Sequence, residues 1–149
     1  MRAPRWLLLL AACGSTVREE SLRTGIGVPG LEVGLPQECH VTFEGFWLVK
    51  LPAEPGQAHD RIVAVRAVCT KLGGLPIWLW DEGVYLCPIC ASRYAVSGLR
   101  LSGPAPASLW RLGISADGPA GEILVNPQRT FRKERGEWSR SGSFLAVRP

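Results

Sequence analysis

The sequence of 149 residues is short of the groups that most enzymes use for catalysis. It contains only two histidines, and neither belongs to a recognisable serine–histidine–acid arrangement. Since such triads depend on a histidine as general base, this shortage argues against a hydrolase of that kind. No glycine-rich loop has the spacing that binds phosphates in nucleotide-dependent enzymes. We therefore predict no catalytic residue.

The chain also lacks any apolar run approaching the roughly 20 residues that a membrane-spanning helix needs. Its one short, strongly apolar stretch, residues 6–10, follows two arginines and leads to Cys13. This order is similar to that of bacterial lipoprotein signals, in which cleavage precedes a cysteine that becomes lipid-modified. We predict a signal peptide over residues 1–12 and lipidation at Cys13, which would anchor the protein in the cell envelope, facing the periplasm or exterior. A core segment that happens to end in cysteine is the alternative.

A strong basic excess on the folded body, typical of nucleic-acid binders, is absent as well. The formal net charge is +4, but two arginines lie in the signal segment. Residues 13–127 carry nine basic and eleven acidic side chains, whereas residues 128–149 carry six basic and two acidic ones. The basic charge is thus concentrated in a C-terminal extension. This distribution favours an acidic partner or lipid head groups over nucleic acid.

No helical periodicity and no internal repeat are evident, and the seventeen glycines and twelve prolines indicate many turns. Turn sequences recur about every ten residues, which is typical of an all-β domain. We predict a tether at 13–27, one β domain at 28–127, and a basic extension at 128–149, with an edge strand at 144–147. The predicted strands of the domain are 41–49, 61–68, 76–80, 84–86, 93–96, 99–101, 109–114 and 122–125.

Three cysteines lie in two turn-like loops, each at the end of a predicted strand. The first loop reads Cys-Thr-Lys-Leu-Gly-Gly from Cys69, and fifteen residues separate its lysine from the second, Cys87-Pro-Ile-Cys90. Loops at the tips of strands are how a β protein assembles a metal or cluster cage. If Cys13 is lipidated, the four other thiols must be disulfides, metal ligands or buried in an oxidising compartment.

These loops resemble the two ligand boxes of the Rieske iron–sulfur proteins, which read Cys-Thr-His-Leu-Gly-Cys and Cys-Pro-Cys-His-Gly-Ser-x-Tyr. The similarity extends over about residues 28–127 and includes Gly103-Pro104-Ala105-Pro106, which is similar to the family's covering proline loop. The resemblance implies an antiparallel β-sandwich in which two loops form a small cluster-binding subdomain. It also implies a [2Fe–2S] cofactor, held by two thiolates and two histidines.

The sequence departs from the family at the ligands themselves. Cys69 and Cys87 match the two thiolate ligands, but Lys71 and Cys90 stand at the two histidine positions. A lysine ammonium offers no acceptor and cannot ligate a metal in that form. A thiolate at Cys90 is a competent iron ligand, but its charge would lower the potential of any cluster formed here.

Other positions are partly retained. Ser92 and Tyr94 match the residues that donate hydrogen bonds to cluster sulfurs in the family, although a turn cap and a core tyrosine are the ordinary alternatives. Gly74 and Ile89 replace the two cysteines of the family's loop-to-loop disulfide. Cys39 is a further possible ligand if its strand lies near the loops.

Three outcomes remain open for the thiols. The first is an altered two-iron cluster on Cys69, Cys87, Cys90 and an outside ligand. The second is a disulfide from Cys69 to Cys87 or Cys90. The third is a structural zinc or another metal on the thiols, including Cys39. A thiol–disulfide exchange motif is disfavoured, because exchange enzymes place it at a helix start in an α/β fold.

The sequence therefore predicts a lipid-anchored Rieske-type domain with a degenerate cluster site. We expect a non-catalytic subunit or accessory protein of a membrane electron-transfer complex, with a cytochrome among its partners. One rival is a one-electron carrier with a modified, low-potential cluster. Another is a purely structural lipoprotein with a disulfide-stapled site.

Overall fold

The computed structural model describes residues 21–39, 45–119 and 121–147, and these form eleven β-strands and three short 3-10 turns. The turns span Val28–Gly30, Lys133–Arg135 and Glu137–Ser139. No described helix is long and apolar enough to cross a bilayer. The strands are β1 Leu22–Gly27, β2 Pro36–Cys39, β3 Phe46–Leu51, β4 Arg61–Arg66, β5 Ile77–Leu79, β6 Val84–Leu86, β7 Arg93–Ala95, β8 Arg100–Ser102, β9 Arg111–Asp117, β10 Glu122–Phe131 and β11 Leu145–Ala146.

The strands form two antiparallel sheets, so the predicted all-β class is confirmed. The larger sheet has the order β1-β10-β9-β4-β3-β2, and β11 pairs with the free part of β4 beside β9. The smaller sheet has the order β5-β6-β7-β8. Its strands follow one another through short turns, which is the simplest topology for consecutive hairpins.

Strands β3 and β4 are buried on both faces, which explains why they read as nearly continuous apolar runs. Phe46 and Leu48 of β3 point into one core cluster, and Trp47 and Val49 point into the other. The first cluster draws residues from β2, β3, β4, β9 and β10, with the 28–31 segment at its side. Because no other described layer covers it, the two halves of the larger sheet close over it as a sandwich.

The second core cluster joins the two sheets and leads to the thiol loops. Tyr85 of β6 is fully buried and stacks on Trp47 of β3, with ring centroids 4.2 Å apart. Trp78 of β5 meets Tyr85 edge-on at 4.9 Å. Cys69 and Cys87 lie in this same cluster. The aromatic contacts therefore fix the small sheet, and with it the second thiol loop, against the larger sheet.

Two predicted segment boundaries are corrected. Residues 22–27, expected in the tether, form β1, where Leu22 and Ile26 pack against the core and the Thr24 hydroxyl donates to the Ile123 carbonyl at 2.8 Å. Glycines and polar residues in this segment obscured the alternation of apolar and polar side chains by which a strand is recognised in a sequence. The signal segment 1–12, Cys13 and residues 14–20 lie outside the described residues.

The C-terminal extension is also part of the domain. β10 continues through Phe131, whose side chain is buried. The edge strand predicted at 144–147 is present as β11, which pairs with β4. Strand β9 runs to Asp117, so the loop expected from residue 115 is shorter than predicted. The pairing of β9 with β10 continues to Asp117 and Glu122, beyond the predicted end of the first strand at residue 114.

Candidate metal centre

The first thiol loop begins three residues after β4. Cys69 is 2% exposed, and its amide donates to the Gly74 carbonyl at 2.7 Å. The Gly73 amide donates back to the Cys69 carbonyl at 3.1 Å. These two backbone bonds close the loop into a tight turn. Gly73, with a φ of +73°, supplies the left-handed conformation that the turn needs.

The second thiol loop follows β6 directly and is closed in the same way. The Cys87 amide donates to the Ser92 carbonyl at 2.9 Å, and the Ala91 amide donates to the Cys87 carbonyl at 2.8 Å. Ala91 has a φ of +59° and is the one described non-glycine residue with a positive φ. In the family box this position is glycine, so the loop keeps a glycine-type conformation with an alanine.

The two loops bring three thiols together. The Sγ atoms of Cys69, Cys87 and Cys90 all lie within 4.8 Å of one another. The sulfurs of Cys69 and Cys90 are 3.5 Å apart. Cys69 and Cys87 are buried, and Cys90 is half-buried at the rim. All four described cysteines, including Cys39, are free thiols. Such a triangle of sulfurs has the size of a metal site.

Two side chains that the resemblance singled out contact these sulfurs. The Tyr94 hydroxyl lies 3.1 Å from Cys69 Sγ, and the Ser92 hydroxyl lies 3.1 Å from Cys90 Sγ. Ser92 is fully buried and also accepts the Ala105 amide at 2.9 Å. Both residues therefore combine contact with sulfur and a structural role, so the two interpretations of them are not exclusive.

The surroundings shift the acidities of the thiols in opposite directions. The Ser92 hydroxyl stabilises the Cys90 thiolate and lowers the pKa of Cys90 to about 7, although partial burial opposes it. Burial raises the pKa of Cys87 above its ordinary value. Burial, followed by the hydrogen bond with Cys69, raises the pKa of Tyr94. The rim thiol of Cys90 is thus more easily ionised than the buried thiol of Cys87.

The proline loop lies against the second thiol loop as the resemblance implied. Gly103 approaches Ser92 so closely that an added Cβ would lie 2.5 Å from Ser92 Cα. Pro104 and Pro106 are exposed, while Ala105 between them is buried and bonds Ser92. The loop therefore supports Ser92 and, through it, Cys90.

Thr70 was missed by sequence reasoning although it lies inside the first loop. Its hydroxyl donates to the Ala107 carbonyl at 2.7 Å, which ties the first thiol loop to the end of the proline loop. Its presence in the quoted Cys-Thr box was the available signal. The strain at Ala91 had a signal too, since alanine replaces the glycine of the second box.

Two predicted positions lie outside the sulfur triangle. Lys71 is exposed at the tip of the first loop. Cys39 belongs to the core cluster on the other face of the larger sheet, so the condition for its use as a further ligand, a strand near the loops, is not met. Pairing of Cys39 with Phe46 turns its side chain toward that cluster. Burial there raises the pKa of Cys39 to about 11.

Gly74 and Ile89 face each other where the family has its disulfide. An added Cβ on Gly74 would lie 3.0 Å from Ile89 Cδ1 and 2.9 Å from Cys87 Sγ. Ile89 thus occupies the space beside Gly74, yet 63% of it remains exposed. The two loops are held here by contact alone, without a covalent bond.

The donor set does not fit a complete two-iron cluster. Such a cluster needs four protein ligands, and the described residues offer three sulfurs beside an exposed ammonium. Three thiolates suit a single thiophilic metal with a fourth position left for an outside ligand, or the pairing of two sulfurs as a disulfide. A closed four-cysteine zinc site is excluded for the described residues, because Cys39 lies elsewhere.

No family model matches the chain. It is 41% identical over 54 residues to the cytochrome b6-f complex iron–sulfur subunit of Synechococcus sp. strain JA-2-3B'a(2-13), covering 36% of this chain and 31% of that protein. It is 37% identical over 85 residues to the chloroplastic cytochrome b6-f complex iron–sulfur subunit of Arabidopsis thaliana, covering 54% and 37%. The chain thus spans about a third of the length of these relatives.

Among solved structures, the fold is similar to that of a chain in a hyperthermophilic respiratory complex III. The TM-score is 0.50 at 20% identity, and the match covers 80% of this chain and 83% of that one. At this identity the similarity shows the fold alone. It supports the all-β architecture described above.

Proposed function

We propose that this chain, which belongs to the Rieske iron–sulfur domain family, is a subunit or accessory protein of a membrane electron-transfer complex and does not itself carry a complete [2Fe–2S] cluster. One observation carries the second half of the proposal. Three sulfurs converge within 4.8 Å, while the fourth ligand position is the exposed Lys71. A cluster that lacks one protein ligand would have to recruit an outside one.

The place in a complex is supported by the relatives, which are subunits of cytochrome b6-f complexes. We propose a cytochrome-containing partner for this chain as well. We also propose that it is held at the envelope by lipid on Cys13, because a short apolar run that follows two arginines leads to this cysteine. Such an anchor would keep the thiol loops near the membrane surface.

Metal content tests the proposal directly. The chain purified anaerobically should contain far less than about two irons per molecule and should show no EPR signal of a reduced two-iron cluster. Iron and zinc are counted on the same sample by elemental analysis. About two irons with such a signal would overturn the proposal in favour of a low-potential electron carrier.

Restoring the family's ligands provides the complementary experiment. The double variant Lys71→His/Cys90→His regains the two imidazoles of the family boxes, since the thiol loops already have the required closed conformation. We expect it to bind about two irons per chain after anaerobic reconstitution. Lys50→His/Cys90→His is the matched control, because Lys50 lies in β3, outside both thiol loops. Equal iron in both would show that position 71 is not a ligand position.

A second function is favoured by the distance between Cys69 and Cys90. Their sulfurs are 3.5 Å apart, so a small rotation would bring them to the ~2.05 Å of a disulfide. In an oxidising compartment an external disulfide can accept the two electrons and two protons that this bond releases. The bond would join the two thiol loops covalently, as the loop-to-loop disulfide does in the family. Mass spectrometry of the alkylated, unreduced protein distinguishes this outcome from three free thiols.

A further inference from the structure

A second pocket lies away from the thiols, between the 52–60 loop and the C-terminal extension. Its volume is about 270 Å³, and its walls include Glu54, Arg61, Arg111, Lys133 and Trp138. None of its lining residues belongs to the thiol loops or to the proline loop. The pocket is therefore separate from the site of the proposed function.

Arg111 is the unusual member of this pocket. It is 4% exposed, and its Nε is buried without a hydrogen-bond partner in the described structure. Its Nη2 donates a long 3.5 Å bond to the Ser97 carbonyl. No described carboxylate forms an ion pair with it. Burial, and then the charge of nearby Arg61, lower the pKa of Arg111 to about 9. A buried cation in this state lacks a compensating anion.

One aromatic ring holds this guanidinium in place. The Trp138 ring lies over Arg111 Cζ at 3.8 Å, and Lys133 Nζ lies 5.4 Å from the same ring. The Trp138 Nε1 donates to the Phe131 carbonyl at 3.3 Å, which fixes the ring. The cation–π contact orients both cations toward one pocket, but it supplies no negative charge.

The pocket carries more positive than negative charge. Arg61, Arg111 and Lys133 are opposed by Glu54, which pairs with Arg61 at 3.1 Å and is 67% exposed. The lining residues thus carry a net charge of +2 at neutral pH. Planar guanidinium groups hydrogen-bond the oxygens of phosphates in pairs, and an adjacent lysine adds a point charge.

We propose that this pocket is a binding site for a dianionic phosphate group, with Arg111 as its buried anchor. Two net positive charges match a phosphate monoester or free phosphate better than a singly charged carboxylate. A neighbouring pocket of about 330 Å³ shares Arg61 and adds Phe144, Ala58 and Ala146 as apolar walls. An esterified phosphate with a small apolar group would therefore also be accommodated.

The test measures the melting temperature of the full chain at rising inorganic phosphate, with ionic strength held constant by chloride. A ligand that binds only the native state raises the melting temperature progressively as its concentration exceeds its dissociation constant. We expect a phosphate-specific rise, and at least about tenfold weaker apparent affinity in Arg111→Met. Arg135→Met is the matched control, because Arg135 is an exposed cation of the same segment that does not line the pocket. It should bind phosphate as the parent chain does.

If Arg111→Met does not fold, Lys133→Met replaces it, since Lys133 is exposed and should weaken binding severalfold without loss of structure. Dihexanoyl phosphatidic acid below its micellar concentration is the second probe. Tighter binding of that probe indicates esterified phosphate, and tighter binding of inorganic phosphate indicates the free ion; either supports the site. Equal melting temperatures in phosphate and chloride, or equal affinity in the parent chain and both pocket variants, would overturn it.

Discussion

At the scale of single residues, the candidate metal centre depends on close approach as much as on sulfur. Gly103 and Ser92 are in contact through their backbones, and Ser92 in turn contacts Cys90. A side chain at position 103 would push the proline loop away from the second thiol loop. The position of the rim thiol is therefore set by a glycine eleven residues beyond the serine it supports.

Gly103→Ala tests this dependence. The new Cβ would lie 2.5 Å from Ser92 Cα at a φ of +96°, so we expect a loss of about 2 kcal/mol or more in the free energy of unfolding. Gly118→Ala is the control, because Gly118 has a φ of +70° but open space around it. It should lose only about 1 kcal/mol. Urea denaturation measures both, and equal losses would mean that the loops separate without cost.

At the scale of elements, the small sheet is attached to the larger one through aromatic rings. Tyr85 is central to this attachment, between Trp47 and Trp78, but its hydroxyl is buried without a hydrogen-bond partner in the described structure. Tyr94, on the next strand, is equally buried, and its hydroxyl contacts Cys69 Sγ. The two tyrosines are paired in register across β6 and β7, yet only the Tyr94 hydroxyl has a hydrogen-bond partner in the described structure.

Removing the two hydroxyl groups should therefore have opposite effects. Tyr85→Phe keeps the stacking and removes an unpaired buried group, so we expect the free energy of unfolding to rise by about 1 kcal/mol. Tyr94→Phe removes a contact to sulfur and should lower it by about 1 kcal/mol. Each is the control for the other in the same denaturation experiment. A loss of stability in Tyr85→Phe would indicate that a water molecule pairs with its hydroxyl.

At the scale of the whole molecule, the C-terminal extension completes the domain rather than following it. Phe131 is 5% exposed within the core, and Ser143 is fully buried, with its hydroxyl 2.7 Å from the Trp138 carbonyl. β11 covers part of the edge of β4. The basic charge of this segment is thus displayed on a folded surface, where it borders the Arg111 pocket.

Truncation after residue 127 should for this reason prevent cooperative folding. It would remove the end of β10, β11 and the buried Phe131, which together exceed the few kcal/mol that many domains have in reserve. Thermal unfolding followed by circular dichroism is the measurement, with truncation after residue 147 as the control. A sharp transition in the shorter chain would show that the domain folds without residues 128–149.

The sequence alone determined the all-β class, most strands and the two thiol loops. These features depend on short-range signals: turn residues, alternating apolar residues and the spacing of cysteines. Strands β5 to β8 were predicted within a few residues because each is joined to the next by a short connection. The meeting of Cys69 with Cys90 also followed from the two boxes, through the resemblance they carry.

Only the tertiary structure decided which distant residues share a face. It pairs Arg23 of β1 with Leu124 of β10, places Cys39 behind the larger sheet, and buries Arg111 under Trp138. Such contacts join segments far apart in the chain, and a sequence pattern fixes the period of a strand but not its partner. The pairing of strands therefore determines whether a cysteine reaches the thiol site and whether a buried cation has a carboxylate beside it.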